Sequence, residues 1–498
     1  MFKNVVVLGA GSAGLLMALS IKKKLPNVSV RVIRSQEIGV IGVGESTTPN
    51  VPYLLLDFLQ ISPKRFYAMV EPTWKMGIRF LWGPRDFDYS FDIQLDVQHA
   101  GLNRANGYYC VDDFSNMSVH AALMRQNRCF ARGQNGTPEI TGAHAFHLEN
   151  VKFVRGLTTI ALECGIEILD GKLREAEIGE QGIKALHLED GRVIDGHFFI
   201  DASGFRSELL GKALQEPYIS YSSTLFNDRA IVGNWDRTNE PILPYTTAET
   251  MDSGWCWRIE HERAIHRGYV YSSASISDDA ARDEFLRKNP KATTWDRPVQ
   301  FKSGRYRRCW VKNVMAVGNS GGFVEPLEST GLMVIAGQCI DFVNQIKYVG
   351  MTPKVQELFN LQRAKSWDTI RDFLSLHFFA NTRLNTPYWQ HVRNESDISG
   401  IKPLLEAYED MGPTQLLARL GYAQDIFFGL EGFLVMLVGN KVPYRNTYIP
   451  TEAERAAIQT MRARNESIAR TGYTVREALD IVKHPSWQWH RDVVSQNA

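Results

Sequence analysis

The chain has 498 residues, of which 44% are hydrophobic and 22% charged, and its formal net charge is +1. This composition is typical of a globular protein, and the lack of a basic excess argues against nucleic acid or an anionic membrane as the main partner. Because 498 residues exceed one ordinary hydrophobic core, the length predicts two interleaved domains.

Cysteine usage and hydropathy favour the cytoplasm. The six cysteines are scattered without CxxC spacing, which predicts reduced thiols and no metal site. No apolar run has the length of a membrane span.

The first predicted element is a buried strand over Asn4 to Leu8, which leads into a glycine-rich turn and an apolar helix. This is GxGxxG in the context of strand, tight turn and helix, which places the pyrophosphate of a dinucleotide at the helix N-terminus. The predicted cofactor contacts in this turn are Gly9, Gly11, Ser12, Ala13 and Gly14.

The second predicted strand, Val28 to Ile33, lacks the terminal acid that would bind the adenosine ribose. It continues as Arg34-Ser35, so Ser35 or Glu37 is the available substitute.

A second loop of glycines and hydroxyls follows, with a composition too polar and too flexible for a core element. A loop of this kind can lie along a large cofactor, and it can also move. Its predicted cofactor contacts are Gly42, Val43, Gly44, Glu45, Ser46 and Thr47.

The segment Thr73 to Phe80 alternates like a strand, with Trp74 and Met76 on one face and Lys75 on the other. By pattern alone, Lys75 is a solvent-exposed strand lysine.

Residues 84 to 145 are rich in aromatics and in Asn, Asp and Gly, which predicts irregular insertions around one helix near Met117 to Asn127. A helix over Glu149 to Cys164 and strands within Ile166 to Leu188 follow. The next strand ends in Asp201-Ala202-Ser203-Gly204, which in dinucleotide-binding flavoproteins lies beside the first glycine loop. This second fingerprint favours FAD over NAD and makes Asp201 a cofactor candidate.

Residues 217 to 303 read as a mixed sheet that carries a substrate domain. The predicted strands are Ser220 to Phe226, Ala230 to Val232, Gly254 to Glu260, Gly268 to Ala274 and Val299 to Lys302. Trp255 and Trp257 share one strand face, for which core packing is the default explanation.

The last third is predicted to be helical. The predicted helices are Leu332 to Tyr348, Lys354 to Asn381, Ile401 to Leu420, Glu452 to Asn465 and a short one from Val475.

Val314 to Gly331 reads as a short strand, a glycine-rich loop and a helix entry near Leu332. Gly318 lets the backbone approach a flat ligand, and Asn319 offers a donor and an acceptor to a polar chain such as a ribityl group. An anion would find unpaired amides at the helix start. Taken alone, the segment is equally compatible with an ordinary capped loop.

In combination and in this order, the motifs resemble the flavin-dependent halogenases of the tryptophan-halogenase type. The resemblance covers residue 3 to about 350, and the C-terminal third matches only in helical character. Trp255-Cys256-Trp257-Arg258-Ile259-Glu260 corresponds to the family's WxWxIP box, with glutamate where proline is usual, and Glu-Pro-Leu-Glu-Ser-Thr-Gly ending at Gly331 is intact.

The resemblance implies a role for each motif. It makes Lys75 the catalytic lysine, whereas the strand pattern alone predicts a solvent-exposed side chain. It also assigns Glu328 and Ser329 to the active site, with halide bound by the amides of Thr330 and Gly331. Trp255 and Trp257 would keep an organic substrate from touching the flavin and so prevent direct oxygen transfer.

The implied reaction uses FAD supplied as FADH2, O2, and chloride or bromide, and it makes hypohalous acid at the flavin. Lys75 would deliver the halogen to an electron-rich ring by hydrogen bonding or as a haloamine, with Glu328 as base. Since bromide is easier to oxidise than chloride, bromide should be used at least as well as chloride.

The substrate pocket is predicted around Tyr89 and Phe91, where tryptophan-specific relatives carry histidine and phenylalanine, with Tyr444 and Tyr448 as further candidates. This change and the lack of a clamp for an amino acid's charged ends favour an indole or other small aromatic over free tryptophan.

The predicted fold class is α/β: a Rossmann-like FAD domain of aromatic-hydroxylase type, interleaved with a mixed-sheet substrate domain and a helical C-terminal cap. The boundaries are 1–83, 147–215 and 300–350 for the FAD domain, 84–146 and 216–299 for the substrate side, and 351–498 for the cap. The expected partner is a separate NAD(P)H-dependent flavin reductase, and the protein is a monomer or homodimer. The alternatives are an FAD-dependent aromatic monooxygenase and a non-catalytic flavin-binding protein.

Overall fold

The structure is a computed structural model that describes residues 2–37, 44–94, 114–294, 297–420 and 428–489. The chain divides into two compact units. Unit 1 comprises Met1–Glu71, Leu148–Tyr221 and Phe301–Asp368, and unit 2 comprises Pro72–His147, Ser222–Gln300 and Thr369–Ala498.

The strands of the described residues are short to medium in length. In chain order they are β1 (Asn4–Leu8), β2 (Ser29–Arg34), β3 (Gly44–Ser46), β4 (Thr73–Lys75), β5 (Gly77–Leu81), β6 (Asp86–Ser90), β7 (Ala145–Glu149), β8 (Glu167–Asp170), β9 (Leu173–Gly179), β10 (Gly182–Leu188), β11 (Val193–Asp195), β12 (Phe198–Asp201), β13 (Tyr218–Ser220), β14 (Arg229–Asp236), β15 (Thr246–Met251), β16 (Gly254–Glu260), β17 (Ala264–Tyr271), β18 (Thr293–Thr294), β19 (Val299–Gln300), β20 (Gly304–Tyr306), β21 (Trp310–Val311), β22 (Val314–Ala316) and β23 (Gly322–Phe323).

The main α-helices lie between these strands and in the last third of the chain. They are α1 (Ser12–Lys24), α2 (Pro63–Val70), α3 (Val119–Arg125), α4 (Asn150–Glu163), α5 (Asp278–Lys288), α6 (Thr330–Tyr348), α7 (Pro353–Ala380), α8 (Pro387–Glu395), α9 (Lys402–Met411), α10 (Gly429–Gly439), α11 (Glu452–Arg470) and α12 (Val475–Lys483). Shorter helical segments occur at Asn50–Pro52, Tyr53–Phe58, Gly204–Arg206, Glu208–Ala213, Gly318–Ser320 and Gln415–Leu420. None of the described helices combines the length and apolar character needed to cross a membrane.

Unit 1 is built on a sheet whose strand order is β21-β22-β12-β1-β2-β8. The strands from β22 to β8 are parallel, and β21 alone pairs antiparallel with its neighbour. The central strand β1 is an apolar run that is buried on both faces, as expected for a parallel sheet covered by helices. This order brings the ends of β1, β12 and β22 side by side, which is the Rossmann-like arrangement that the sequence predicts.

Unit 2 is built on a mixed sheet ordered β18-β14-β17-β16-β15-β5-β6, with β19 also pairing with β14. Its pairs are antiparallel except for β15 with β5. Mixed α/β architecture and a helical C-terminal region are therefore both present, as predicted.

The predicted strand over Thr73 to Phe80 is two strands that pair with different partners. Strand β4 pairs antiparallel with β7, whereas β5 lies between β15 and β6. The amide of Met76 donates to the carbonyl of Pro244 at the break. Lys75 is 0% exposed, so the pattern-based expectation of a solvent-exposed lysine is wrong.

The predicted strand Ser220 to Phe226 is wrong beyond Ser220, where β13 ends. The carbonyls of Ser223 and Thr224 accept hydrogen bonds from the Asp397 amide and the Ser396 hydroxyl at 2.8 Å each. These distant donors take the place of a strand partner, which a local sequence pattern does not reveal.

The predicted helix Ile401 to Leu420 is interrupted. Helix α9 ends at Met411, because Gly412 has a φ of +74° and Pro413 follows. A 3-10 segment, Gln415–Leu420, completes the stretch. The sequence also left α2, α5, α8, α10 and β15 unassigned.

The observed units differ from the predicted boundaries in several stretches. Residues 216–221, predicted on the substrate side, belong to unit 1. Residues 72–83 belong to unit 2, because β5 is hydrogen-bonded into the unit 2 sheet. Residues 351–368, predicted as part of the cap, belong to unit 1.

Candidate active site

The first glycine loop of unit 1 is shaped for close backbone approach. Gly9 has a φ of +114°, and a Cβ there would lie 2.2 Å from the Ala202 carbonyl oxygen. A Cβ on Gly14 would lie 2.0 Å from the carbonyl oxygen of Gly9, so both glycines are required by packing. A Cβ on Gly11, in contrast, would meet no atom within 4 Å.

Gly11 is the N-cap of α1 and provides no side-chain cap, so the first amides of the helix face this open space. Such a cradle fits the pyrophosphate of FAD. Ser12 has a different partner, since its hydroxyl donates to Asn150 Oδ1 at 3.0 Å. Ala13 packs below Gly318, where a Cβ would lie 2.8 Å from Ala13 Cβ. The loop with Gly318 and Asn319 therefore lies beside the first glycine loop.

Asp201 is fully buried, and its carboxylate is held by the loop that follows it. It accepts hydrogen bonds from the amide and hydroxyl of Ser203 and from the amides of Leu209 and Leu210, at 2.5–3.1 Å. Burial raises the pKa of Asp201, while these hydrogen bonds oppose the rise. The contacts give Asp201 a structural role in the loop, and its contact with FAD stays a prediction.

The residues around the end of β2, where the adenosine ribose is predicted to bind, form ion pairs. Arg34, at the end of β2, donates to both oxygens of Asp170 at 2.8 and 3.0 Å, and Glu37 pairs with Lys172 at 3.3 Å. The Glu37 carboxylate is thus shared with a lysine of the same unit.

Two of the predicted flavin-loop residues, Gly42 and Val43, lie outside the described residues. Of the others, Gly44 and Thr47 are buried and Ser46 is partly buried. The Ser329 hydroxyl donates to Ser46 Oγ at 2.9 Å, so the predicted flavin loop and the segment that ends at Ser329 meet directly.

Burial raises the pKa of Glu45 to about 7. Because this pKa lies above the ordinary value of 4.5, folding takes up a proton, and stability should fall as pH rises from about 4.5 to about 7. The expected loss is about 3 kcal/mol. Glu45→Gln should remove this slope, which denaturation of the protein without added flavin at pH 5, 6, 7 and 8 would measure. Equal slopes in both proteins would contradict the assignment.

The helix that follows Glu328 and Ser329 begins two residues earlier than predicted. Helix α6 begins at Thr330, and Ser329 adopts a left-handed conformation with a φ of +59° without capping the helix through its side chain. The amides of Thr330 and Gly331 are thus in the first turn, where no intrahelical acceptor exists. A Cβ on Gly331 would meet nothing within 4 Å, whereas Glu328 is 3% exposed. An anion has both donors and space at this point.

In unit 2, the completely buried Lys75 places its ammonium over the Phe91 ring, 5.1 Å from the centroid. This is within the range of a cation–π interaction. The Phe91 amide donates to the carbonyl of Met76 at 2.9 Å, which holds the backbone of Phe91 beside the strand of Lys75. Phe91, one of the predicted pocket residues, therefore lies against Lys75.

His147 also lies near Lys75, and the sequence analysis did not identify it. It is fully buried on β7 opposite Thr73, and its Nε2 lies 2.8 Å from Thr246 Oγ1. Burial, and next the positive charge of Lys75, lower the pKa of His147 well below its ordinary value. The β4–β7 pairing that brings it to Lys75 joins residues at least seventy positions apart, which one sequence does not show.

The three tyrosines predicted for the pocket have the following contacts within unit 2. The Tyr89 hydroxyl approaches the Phe428 carbonyl at 3.4 Å. The Tyr444 ring packs edge-on against Tyr408 at 5.5 Å. The Tyr448 hydroxyl donates to Glu454 Oε2 at 2.8 Å, and Glu454 forms the capping box of α11, so this contact gives Tyr448 a structural role.

Trp255 and Trp257 are buried on β16 with ring centroids 6.0 Å apart. Alternation along the strand puts both on one face. The glutamate that replaces the family's proline, Glu260, is 0% exposed and pairs with Arg258 at 2.6 Å and with the buried Arg237. Its carbonyl accepts from the Thr73 hydroxyl at 2.5 Å, which ties β16 to the strand of Lys75.

The described residues contain no group of three or more His, Cys, Asp or Glu side chains that could hold a metal ion. The parallel sheet with its glycine cradle at the start of α1 defines a dinucleotide-binding flavoprotein. The family model of the tryptophan halogenases matches residues 4–454, and the chain belongs to this family.

Individual relatives agree. Tryptophan 7-halogenase KtzQ of Kutzneria sp. (strain 744) is 31% identical over 445 residues, which cover 83% of each chain. Tryptophan 7-halogenase RebH of Lentzea aerocolonigenes is 28% identical, covering 81% of each chain. Among solved structures, MibH, a lanthipeptide tryptophan 5-halogenase, superposes with a TM-score of 0.89 at 38% identity and covers 97% of this chain and 93% of its own.

The protein is accordingly an enzyme, a flavin-dependent halogenase that uses FADH2, O2 and halide. The sequence-based identification of the family, the fold class and the cofactors is confirmed.

Proposed function

We propose that this halogenase transfers an oxidised halogen through Lys75 to the indole of a tryptophan residue or to another electron-rich ring. The observation that carries the proposal is the complete burial of the Lys75 amine against the face of Phe91. Burying an ammonium group is costly, so a lysine at such a position is explained better by chemistry than by packing.

The bound cofactor supplies the electrons for the overall change FADH2 + O2 + X⁻ + H⁺ → FAD + HOX + H2O. The glycine loop from Gly9 to Gly14, Gly44 to Thr47 and the Gly318-Asn319 turn would hold it. The amides of Thr330 and Gly331 would hold the halide, because amides in the first turn of α6 have no acceptor within the helix.

Lys75 has two possible forms of delivery. As an ammonium it donates a hydrogen bond to hypohalous acid and makes the halogen more electrophilic. As a neutral amine it forms an N–X bond, releasing water, and then passes the halogen to the ring carbon. In both cases the ring loses a proton, for which the nearly buried Glu328 is the proposed base and Ser329 an auxiliary donor.

The indole of the substrate is proposed to belong to a tryptophan side chain within a peptide. The sequence offers no clamp for the ammonium and carboxylate of a free amino acid, and a relative of 38% identity over 97% of this chain acts on a lanthipeptide. Both points favour a tryptophan side chain within a peptide over free tryptophan.

One assay tests the proposal against its alternatives. The purified protein is supplied with FAD, a flavin reductase, NADH, bromide, and either indole, a tryptophan-containing peptide or free tryptophan, and products are identified by mass spectrometry. Brominated peptide or indole is expected, with free tryptophan the poorest substrate. Hydroxylated product, with NADH oxidised in the absence of the reductase, would identify a monooxygenase. Flavin binding without any product would identify a binding protein.

A further inference from the structure

Trp257 lies in a row of side chains that crosses the unit 2 sheet. Its direct partners are Gly268 on β17 and Ala248 on β15. The two positions that flank the largest side chain of this row are thus occupied by the two smallest residues. Cross-strand partners on one face lie close enough for an aromatic ring to cover its neighbour.

The indole of Trp257 rests on the backbone of Gly268. A Cβ at Gly268 would lie 2.0, 2.2 and 2.4 Å from Cζ2, Cη2 and Cε2 of Trp257. Real Cβ atoms do not approach other heavy atoms this closely, so the six-membered part of the indole occupies the space of the missing side chain. The ring therefore leans toward β17 and away from β15.

No turn or left-handed conformation requires a glycine at this position. Gly268 is in the interior of β17, away from any turn, and it is not among the glycines with a positive φ. A glycine inside a strand weakens it unless something must approach the backbone closely. The ring of Trp257 is what approaches here.

Packing is also what orients the ring. The Nε1 of Trp257 is buried and has no hydrogen-bond partner in the part of the chain that the structure describes. Since no hydrogen bond there fixes the indole, its direction depends on the surfaces that it touches.

We propose that Gly268 is a positioning residue for Trp257, which by covering Gly268 stays clear of the β15 side of the sheet. This role rests on the proposed function and on the role that the family resemblance implies for Trp255 and Trp257, which is to keep the substrate away from the flavin. With alanine at 268, the ring must tip toward Ala248, whose own neighbour in the sheet is Phe80 of β5, the strand that follows Lys75. The tryptophan pair then leaves a gap on the β17 side, and the Trp257 ring projects into the space on the β15 side.

The test is a double-mutant cycle with Gly268→Ala, Trp257→Phe and the double variant. Gly268→Ala alone should lower halogenated product per NADH oxidised roughly tenfold or more and release hydroxylated product or peroxide. In the Trp257→Phe background, the same substitution should change this ratio less than roughly twofold, because the smaller ring leaves room for the methyl group. Equal effects in both backgrounds, or none in either, would overturn the proposal.

A second readout does not depend on the halogenase reaction. Thermal unfolding midpoints of the four proteins should be non-additive in the same sense, with Gly268→Ala destabilising only when residue 257 is tryptophan. Gly179→Ala, at a site where the nearest atoms are 3.9 Å away, is the control and should be neutral. If the wild type makes no halogenated product while the midpoints are non-additive, the proposed function is wrong, but the packing of Trp257 on Gly268 is confirmed. Additive midpoints would contradict the packing of the Trp257 ring on Gly268.

Discussion

Replacement of Lys75 with alanine should abolish halogenated product while leaving flavin binding and NADH oxidation by the reductase unchanged. Lys75 is 0% exposed, so an amine from the solvent cannot replace it in the delivery of halogen. A positioned side chain of this kind contributes roughly 10²- to 10⁴-fold, and we expect a loss at the upper end. Product formation under single-turnover conditions, followed by mass spectrometry, measures the effect.

Two further substitutions separate chemistry from packing. Lys75→Met keeps most of the buried volume and removes the amine, so it should be as inactive as the alanine variant but more stable. Lys75→Arg keeps the charge and its contact with Phe91 but replaces the amine, so low activity would favour delivery through an N–X bond and high activity would favour hydrogen bonding. Undiminished product from the methionine variant would remove Lys75 from the mechanism.

Replacement of Glu260 with alanine should cause the largest loss of stability in unit 2. The side chain of Arg237 is 3% exposed, and Glu260 is its carboxylate partner. Removing one member of a buried ion pair leaves the other charge uncompensated and costs about 3–5 kcal/mol. A thermal midpoint lower by roughly 10 °C is expected for a domain of this size.

The matched control is the double variant Glu260→Ala/Arg237→Met, which removes Glu260 and the more buried of its two arginine partners and leaves the partly exposed Arg258. It should recover part of the loss, since replacing a buried ion pair with apolar side chains is often nearly neutral. A double variant that is less stable than the sum of its single variants predicts would show that the pair is not what stabilises this region.

The elements that sequence reasoning located well are those specified by local chemistry. The strand Asn4–Leu8 and the strand Gly254–Glu260 have the predicted bounds, because an apolar run with a glycine at one end is itself a strand signal. The start of α6 follows from the Ser-Thr-Gly sequence within two residues. The predicted roles of the site residues remain predictions, to be decided by the variants above.

Failures occurred where partners distant in sequence decide the structure. The Ser220 to Phe226 segment has strand composition, but donors near residue 396 bind its carbonyls. The helix through Gly412 was predicted as continuous, although a glycine followed by proline is a local stop signal that could have been used.

By itself, the sequence determined the dinucleotide fold of unit 1, the halogenase family and the need for reduced flavin, because glycine spacings and short motifs encode these locally. Only the tertiary structure decided the environment of Lys75, the presence of His147 beside it, the ion pairs of Glu260 and the packing of Trp257 on Gly268. Each of these depends on which strands become neighbours, as β4 does with β7 and β16 with β17, and such pairing is set by burial across the whole sheet.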